Sequence, residues 1–396
     1  MSQEESGKSL IMPVAIPQNE STYAVVIAGG NGVRLWPESR ARRPKQFLLQ
    51  DRRQSMLFET VERLSHMIPN ERILIATSES FRQLVREALP GFPDENIIGE
   101  PVSRNTAPAI GLAAEILAQR DPNATLVILP SDHFIEPVDL FCSTLQTGVA
   151  LADEDPARLV ILGIPPTAPS VSYGYIECGA PLLSPALANS AFEIEAFRVK
   201  SFREKPLQQE ATEYIKADWF LWNAGIFILS ARRVLQLLEQ LEPGMAARLH
   251  LIGATWGTPA WSHQLADGYP QVRNISFDYA VMEHADSIVV LKSAFVWDDL
   301  GSFKSLARHE ESHVQDEQSN TVSGPNVVCI DSHHNVIRQV PDENGTPSSR
   351  LIGLVGVDDL IVVQTDDVTL ICQRSQEADI RRLVEQIRDQ GKSHFL

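Results

Sequence analysis

Cysteine is scarce in this chain: only 4 of its 396 residues are cysteines, at positions 142, 178, 329 and 372, and none forms a C-x-x-C pair. This spacing excludes a zinc ribbon and gives no support for a disulfide framework. No apolar run reaches the roughly 18 residues that a spanning helix needs, so we expect no membrane span. Basic residues are outnumbered as well, 34 against 51 acids, giving a formal net charge of −17. Such a field argues against general nucleic-acid binding.

The N-terminal segment also lacks the marks of a targeting signal. Residues 1–20 carry early acids and an apolar patch that is short and interrupted by Pro13 and Pro17. A signal sequence needs a basic start and a longer apolar core. We therefore interpret residues 1–20 as a flexible leader and expect a cytoplasmic protein.

Two familiar nucleotide loops are absent, although the chain does contain a glycine-rich turn. The segment AVVIAGGNGVRLWP, residues 24–37, runs an apolar strand into Gly29, Gly30 and Gly32. No Walker string G-x-x-x-x-G-K-[ST] occurs, and Leu35 stands where a dinucleotide fingerprint requires its third glycine. Pro37 disfavours the helical region for the residue before it, so no helix should begin at this loop. An ordinary strand-to-helix turn is the alternative interpretation.

The residues after the glycine turn are strongly cationic in an otherwise acidic chain. Between positions 34 and 53 only Glu38 and Asp51 oppose the cations Arg34, Arg40, Arg42, Arg43, Lys45, Arg52 and Arg53. Glycine lets bare backbone N–H groups approach an anion, and local positive charge attracts one. The segment therefore predicts a phosphate site.

Strand-like and helix-like segments alternate through the first third of the chain. Apolar strands are expected at 25–27, 72–77, 96–101 and 125–133, with helices at 56–67, 81–89 and 107–119. This alternation is typical of an α/β fold with a parallel, doubly wound sheet, in which ligands bind beyond the carboxyl ends of the strands. A polar stretch at 310–323 indicates a linker, the segments after it are β-rich, and Ile380, Leu383, Val384 and Ile387 predict a final amphipathic helix.

Several motifs recur in the order found in one enzyme family. Besides GGNGVRLWP and PKQFL they are SRNTAPAI, LPSDHFI, YGYIE, FREKP, WNAGIF, FDYAVME and WDDLGSF, spread over most of the chain. Together they resemble the sugar-1-phosphate nucleotidylyltransferases. The resemblance implies a Rossmann-like, GT-A-type mixed sheet over residues 21–312. It also implies a small β-rich domain over 313–396, a short left-handed β-helix with the terminal helix.

The resemblance implies a role for individual residues. Arg34 and Lys45 would be catalytic, and Asp132 and Asp299 would hold Mg²⁺, which prefers few carboxylates plus phosphate oxygens. The nucleotide would bind Gly29, Gly30, Gly32, Arg34, Arg104, Asn105, Thr106, Ala107, Ser131 and Asp132, and the sugar phosphate would bind Gly174, Glu204, Lys205, Asn223 and Asp278. A solvated lysine, a turn aspartate and a structural carboxylate remain alternatives for Lys45, Asp132 and Asp278.

The implied reaction joins GTP and α-D-mannose 1-phosphate to give GDP-mannose and diphosphate, in a homodimer without nucleic-acid or membrane partners. Use of another sugar phosphate or base is one alternative. A non-catalytic homologue that binds GDP-mannose and regulates a partner is another.

Overall fold

The computed structural model describes residues 20–30, 32–48, 54–309, 314–342, 345–346 and 348–396. The predicted leader lies outside the described residues apart from position 20, as do Arg52 and Arg53 of the cationic segment. Among the described residues, the helices are too short or too polar to cross a lipid bilayer. None of the four cysteines forms a disulfide.

The first part of the chain builds a large sheet. Its strands, together with a small outlying pair, are β1 (Thr22–Ala28), β2 (Ile73–Ser78), β3 (Ile97–Glu100), β4 (Thr125–Pro130), β5 (Phe134–Glu136), β6 (Leu159–Ile164), β7 (Tyr175–Pro181), β8 (Glu195–Arg203), β9 (Phe220–Ser230), β10 (Ile288–Lys292) and β11 (Val296–Asp298).

Within the described residues, nine of these strands form one sheet in the order β3-β2-β1-β4-β9-β6-β10-β8-β7, and β5 pairs with β11. Strands β1 to β4 pair in parallel, as do β6 and β10. Strand β9 enters antiparallel between β4 and β6. The sheet is therefore mixed, and its parallel part brings the carboxyl ends of β1 and β4 side by side.

Helices cover both faces of this sheet. They are α1 (Met56–Ser65), α2 (Arg82–Ala88), α3 (Thr106–Arg120), α4 (Val138–Glu154), α5 (Pro185–Ala188), α6 (Gln208–Lys216), α7 (Ala231–Leu241), α8 (Pro243–Gly253), α9 (Trp261–Gly268) and α10 (Phe303–His309). Alternate strand residues point to opposite faces, so Val26 joins the core with α1 and α4, whereas Val25 joins the core with α3 and α7. Two separate apolar cores result.

The C-terminal part is built from short strands: β12 (Val314–Gln315), β13 (Thr321–Ser323), β14 (Val327–Ile330), β15 (Val336–Gln339), β16 (Ile352–Val355), β17 (Leu360–Gln364) and β18 (Thr369–Gln373), followed by α11 (Ile380–Asp389). Strands β13, β15 and β17 stack in parallel, and β14 stacks in parallel on β16. Successive parallel rungs of this kind form a β-helix-like domain. The prediction of a linker at 310–323 is wrong for residues 314–323, which include β12 and β13, and its first four residues lie outside the described part of the chain. Strand β12 pairs with β13, and β13 pairs with β15.

The glycine turn and the residues after it pack directly on the C-terminal domain. Leu35 and Trp36 share a buried apolar cluster with Ile361 and Val384. The Trp36 indole N–H donates to the carbonyl oxygen of Phe395 at 2.8 Å. The glycine turn therefore lies between the two domains.

Two ion pairs join the same segment to the C-terminal domain. Arg338 donates to Glu38 at 3.0 and 2.9 Å with both side chains buried, and Arg40 pairs with Asp367 at 2.6 Å. The prediction that the whole cationic run serves a phosphate is therefore wrong for Arg40. A tertiary partner more than 300 residues away uses that charge instead.

The predicted helices and strands of the first third agree with α1 to α3 and β1 to β4 to within a few residues. The turn at Val33–Leu35 is a single 3-10 turn, and Trp36 is extended, as Pro37 requires. In α11, Ile380 and Val384 are buried, whereas Leu383 of the predicted stripe is 37% exposed. Leu383 lies outside the apolar cluster that Ile380 and Val384 share with Leu35.

Candidate active site

The glycine turn lies at the carboxyl end of β1. Gly32 has φ +58°, in the left-handed region that favours glycine, and a Cβ there would lie 2.5 Å from the Cβ of Lys45. The Ser39 hydroxyl donates to the carbonyl oxygen of Gly32 at 2.5 Å. Gly30 has open space where a Cβ would stand. Position 32 therefore requires glycine. At Gly30 the backbone is accessible to a ligand.

Lys45 contacts both aspartates that the family resemblance assigns to the metal site. Its side chain is 8% exposed, and its Nζ donates to Oδ2 of Asp132 at 2.7 Å. The same Nζ donates to the carbonyl oxygen of Asp299. Asp132 follows β4 and Asp299 follows β11, so residues 167 positions apart meet at one ammonium group. The alternative of a solvated surface lysine does not fit this burial.

Arg34 completes the same cluster from the loop side. Its guanidinium lies 3.7 Å from Oδ2 of Asp299 and remains 38% exposed, so it faces open space as well as the carboxylate. Gly301 lies against this pair, because a Cβ there would be 2.6 Å from Oδ2 of Asp299 and 3.0 Å from the Arg34 guanidinium and would displace these side chains. The structure thus brings Arg34, Lys45, Asp132 and Asp299 together.

The charges in this cluster stabilise one another. Burial by itself raises the pKa of Asp132, but the opposing charge of Lys45 and the hydrogen bond from its ammonium outweigh that effect, and the pKa lies below its ordinary value. His133 accepts a hydrogen bond at Nδ1 from the Trp297 indole at 3.1 Å. Burial lowers the pKa of His133. Asp132 is thus held as a carboxylate beside a neutral imidazole with a structural partner.

The donor set suits a hard divalent cation. Among the described residues no group of three metal-ligating side chains occurs, but Asp132 and Asp299 offer oxygen atoms beside an exposed arginine. Magnesium is commonly held by one or two carboxylates, with substrate phosphates and water completing its shell. The two carboxylates therefore fit such an ion once a polyphosphate is present.

The five residues predicted to bind the sugar phosphate form a second cluster. A Cβ on Gly174 would lie 2.6 Å from Oε2 of Glu204 and 3.3 Å from the Cβ of Asn223. The Asn223 amide donates to Oδ1 of Asp278 at 2.8 Å. Lys205 pairs with Glu204 at 2.6 Å and is 56% exposed, so its ammonium is available to a ligand.

Tyr173 connects the two clusters. Its hydroxyl donates to Oδ1 of Asp299 at 2.9 Å, and the next residue is Gly174 of the second cluster. Its ring contacts those of Trp222 and Trp297. The aromatic side chains therefore form a wall between the clusters.

The carboxyl group of Asp278 is chemically unusual. Burial, with the nearby charge of Glu204, raises the pKa of Asp278 to about 6. It lies at the start of a π-helical turn, Asp278–Met282. A half-buried carboxyl that accepts one hydrogen bond and keeps a second oxygen can accept another from a hydroxyl group.

The segment predicted to border the base is largely engaged in local structure. Asn105, at φ +67°, caps α3 by accepting from the N–H of Thr106 at 2.9 Å. The Thr106 hydroxyl accepts from the N–H of Phe277 at 2.8 Å, Ala107 is fully buried, and Arg104 donates to the carbonyl oxygen of Pro270. Ser131 is buried and its N–H donates to Ile27. The side chains of this segment are therefore used in local hydrogen bonds and packing, and its role at the base stays a prediction.

One buried acid beside the glycine turn escaped the sequence analysis. Glu100 ends β3, is 5% exposed, and accepts a hydrogen bond from the Tyr269 hydroxyl. Its Oε2 lies 3.6 Å from where a Cβ of Gly29 would stand. Burial raises the pKa of Glu100 to about 7. The signal available in the sequence was a glutamate at the end of a predicted apolar strand, next to the motif SRNTAPAI.

Comparison with known proteins identifies the family of this chain and the relatives that it resembles within that family. The model of the nucleotidyl transferase family matches residues 23–316, and that of the MannoseP isomerase/GMP-like beta-helix domain matches residues 325–387. A mannose-1-phosphate guanylyltransferase of Salmonella montevideo is 36% identical over 94% of this chain and 75% of its own length. One from Escherichia coli is 32% identical over 93% and 76%.

A crystal structure described as mannose-1-phosphate geranyltransferase from Thermus thermophilus superposes with a TM-score of 0.78 at 30% identity, covering 93% of this chain and 99% of that one. The chain therefore belongs to the nucleotidyl transferase family, in its mannose-1-phosphate guanylyltransferase branch.

Proposed function

We propose that this protein transfers the guanylyl group of GTP to α-D-mannose 1-phosphate, giving GDP-mannose and diphosphate. The observation that carries the proposal is the meeting of Arg34, Lys45, Asp132 and Asp299 at the end of the glycine turn. The relatives named as mannose-1-phosphate guanylyltransferases supply the substrate pair.

The reaction is a single displacement at phosphorus. An oxygen of the sugar phosphate attacks the α-phosphorus of GTP, a new P–O bond forms, and the bond to the bridging oxygen breaks so that diphosphate leaves with the electron pair. The protein forms no bond to the substrates in this step, and catalysis depends on positioning and charge neutralisation.

The loop residues act on the polyphosphate. The open backbone at Gly30 can donate N–H groups to phosphate oxygens. Arg34 meets phosphate oxygens with a two-pronged guanidinium, and Lys45 adds positive charge near the reacting phosphorus. Mg²⁺, which Asp132 and Asp299 would hold together with phosphate oxygens, supplies further neutralisation when bound.

The second cluster takes the sugar phosphate. The exposed Lys205 ammonium grips the phosphate, while Glu204 and Asp278 accept hydrogen bonds from sugar hydroxyls and Asn223 orients Asp278. Gly174 leaves room for this arrangement, since any side chain there would collide with Glu204.

Glu100 supplies a selective contact for guanine. The guanine edge carries two neighbouring donors, N1–H and the 2-amino group, and an ionised carboxylate is an acceptor-only partner for both. Tyr269 occupies one oxygen of Glu100, and the other lies toward the glycine turn. Adenine lacks this pair of donors and would leave the buried carboxylate unsatisfied.

The direct test is release of diphosphate from GTP and mannose 1-phosphate with magnesium, compared with Lys45→Ala as the matched inactive variant. Formation of GDP-mannose is expected from the wild type. A panel of other triphosphates and sugar phosphates tests the substrate pair. GDP-mannose binding by calorimetry without any turnover would favour the non-catalytic regulatory homologue.

We also propose the finer features of fold and assembly. The unit boundaries at 21–312 and 313–396 are supported by the ranges of the two family models. A GT-A-type arrangement of the first unit agrees with its mixed sheet, and a left-handed winding of the second with its parallel rungs. A homodimer is supported by exposed apolar residues on β14 and β16, including Val328, Ile330 and Val355, and sedimentation tests it. A cytoplasmic location agrees with the free thiols.

A further inference from the structure

The C-terminal helix forms one wall of the cavity that contains the phosphate-binding loop. This cavity, of about 440 Å³, is lined by Arg34, Lys45 and Asp132 of the first domain and by Arg381, Glu385 and Arg388 of α11. Helix α11 packs on the turn Val33–Leu35. The β-helix-like domain thus brings its own charged side chains to the loop.

The spacing of the α11 residues explains which of them reach the cavity. Positions 381, 384, 385 and 388 follow the i, i+3, i+4, i+7 pattern of a single helical face. Val384 is buried against the loop and anchors that face, while Arg381 and Arg388 are exposed at its two ends. Fixing the helix through Ile380 and Val384 therefore holds both arginines at the cavity.

The charges of these arginines are not used within the described part of the chain. Arg382, on another face, pairs with Asp379 at 3.2 Å, whereas neither Arg381 nor Arg388 forms an ion pair with any described carboxylate. Glu385 lies between them, and the helix still brings a surplus of positive charge to the cavity. In a chain of net charge −17, two unused cations facing Arg34 and Lys45 indicate an anionic ligand.

We propose that Arg381 and Arg388 bind the diphosphate end of the nucleotide, so that the leaving group is held between the glycine turn of the first domain and α11 of the second. This inference rests on the proposed function, which supplies a triphosphate in this cavity. Guanidinium groups suit the role because they bind phosphate oxygens in pairs. The second domain therefore contributes residues that touch the β- and γ-phosphates.

The test uses the full chain in the reverse direction, with GDP-mannose and inorganic pyrophosphate as substrates. Arg381→Ala and Arg388→Ala should each raise the KM for pyrophosphate roughly tenfold or more, with a larger effect in the double variant, as expected for a lost charge-assisted hydrogen bond. The KM for GDP-mannose should change less than twofold. Arg388→Lys should recover part of the loss, and Glu385→Gln should lower the KM for pyrophosphate.

Arg382→Ala is the matched control, since it removes an arginine of the same helix whose charge is already paired. It should leave both KM values unchanged. A double Arg381/Arg388 variant whose KM for pyrophosphate stays within twofold of the wild type would overturn the inference. If the wild type makes no GDP-mannose, the proposed function fails by itself, and calorimetry with inorganic pyrophosphate on wild type and double variant still decides the role of the arginines.

Discussion

Replacing Glu100 by glutamine should stabilise the protein and at the same time reduce its selectivity for guanine nucleotides. Burial raises the pKa of this carboxyl from its ordinary 4.5 to about 7. Between those pH values the folded chain binds more protons than the unfolded chain, so ionisation of Glu100 destabilises the folded state as the pH rises. The penalty is absent below pH 4.5 and complete above 7. At about 1.4 kcal/mol for each pH unit it amounts to roughly 3 kcal/mol.

Glutamine keeps the shape of the side chain and an acceptor for the Tyr269 hydroxyl, but it has no charge. In urea unfolding at pH 8 we therefore expect Glu100→Gln to gain up to about 3 kcal/mol of unfolding free energy, and most of this gain should vanish at pH 5. Glu95→Gln, an exposed neighbour at the same sheet edge, serves as the control and should change little. Equal or lower stability of Glu100→Gln at pH 8, or a gain that does not depend on pH, would refute the reasoning.

A loss of selectivity for GTP should accompany this gain in stability. Because the glutamine amide would point a donor at the donor edge of guanine, we expect the preference of kcat/KM for GTP over ATP to fall by about tenfold or more. Tyr269→Phe leaves Glu100 in place and should retain most of that preference. An unchanged preference in Glu100→Gln would separate the buried acid from base selection.

Three further changes test other parts of the molecule. Lys45→Ala should lower kcat roughly 10²- to 10³-fold, since it removes charge stabilisation that is strongest in the transition state, and single-turnover rates measure this. With the pKa of Asp278 near 6, the KM for mannose 1-phosphate should rise as the pH falls below 6, because the protonated carboxyl is a poorer acceptor. The substrate phosphate titrates in the same range, so Asp278→Asn gives the comparison, and an identical pH profile in both proteins would exclude Asp278 as the cause. Arg338→Met should cost about 3–5 kcal/mol of unfolding free energy by leaving Glu38 buried and unpaired, whereas combining it with Glu38→Gln should recover much of the loss in urea unfolding.

The elements that sequence reasoning located well are those with strong local signals. Helix α1 and strand β2 follow from apolar periodicity, and the extended Trp36 follows from Pro37. The domain-joining role of Glu38 and Arg40 could not be inferred, because their partners Arg338 and Asp367 lie in another domain. Local charge in a sequence does not reveal whether a distant part of the chain will neutralise it.

The sequence by itself determined the alternating α/β pattern and the glycine turn without a following helix. Both depend on residue type and on neighbours close in the chain. The candidate phosphate, metal and sugar ligands came from the resemblance of the motifs to one enzyme family. Only the tertiary structure decided that Lys45 lies between Asp132 and Asp299, that Glu100 lies beside the glycine turn, and that α11 lines the cavity at that turn. Those outcomes depend on how sheet edges and domains pack, and a contact between residues hundreds of positions apart leaves no periodic trace in one sequence.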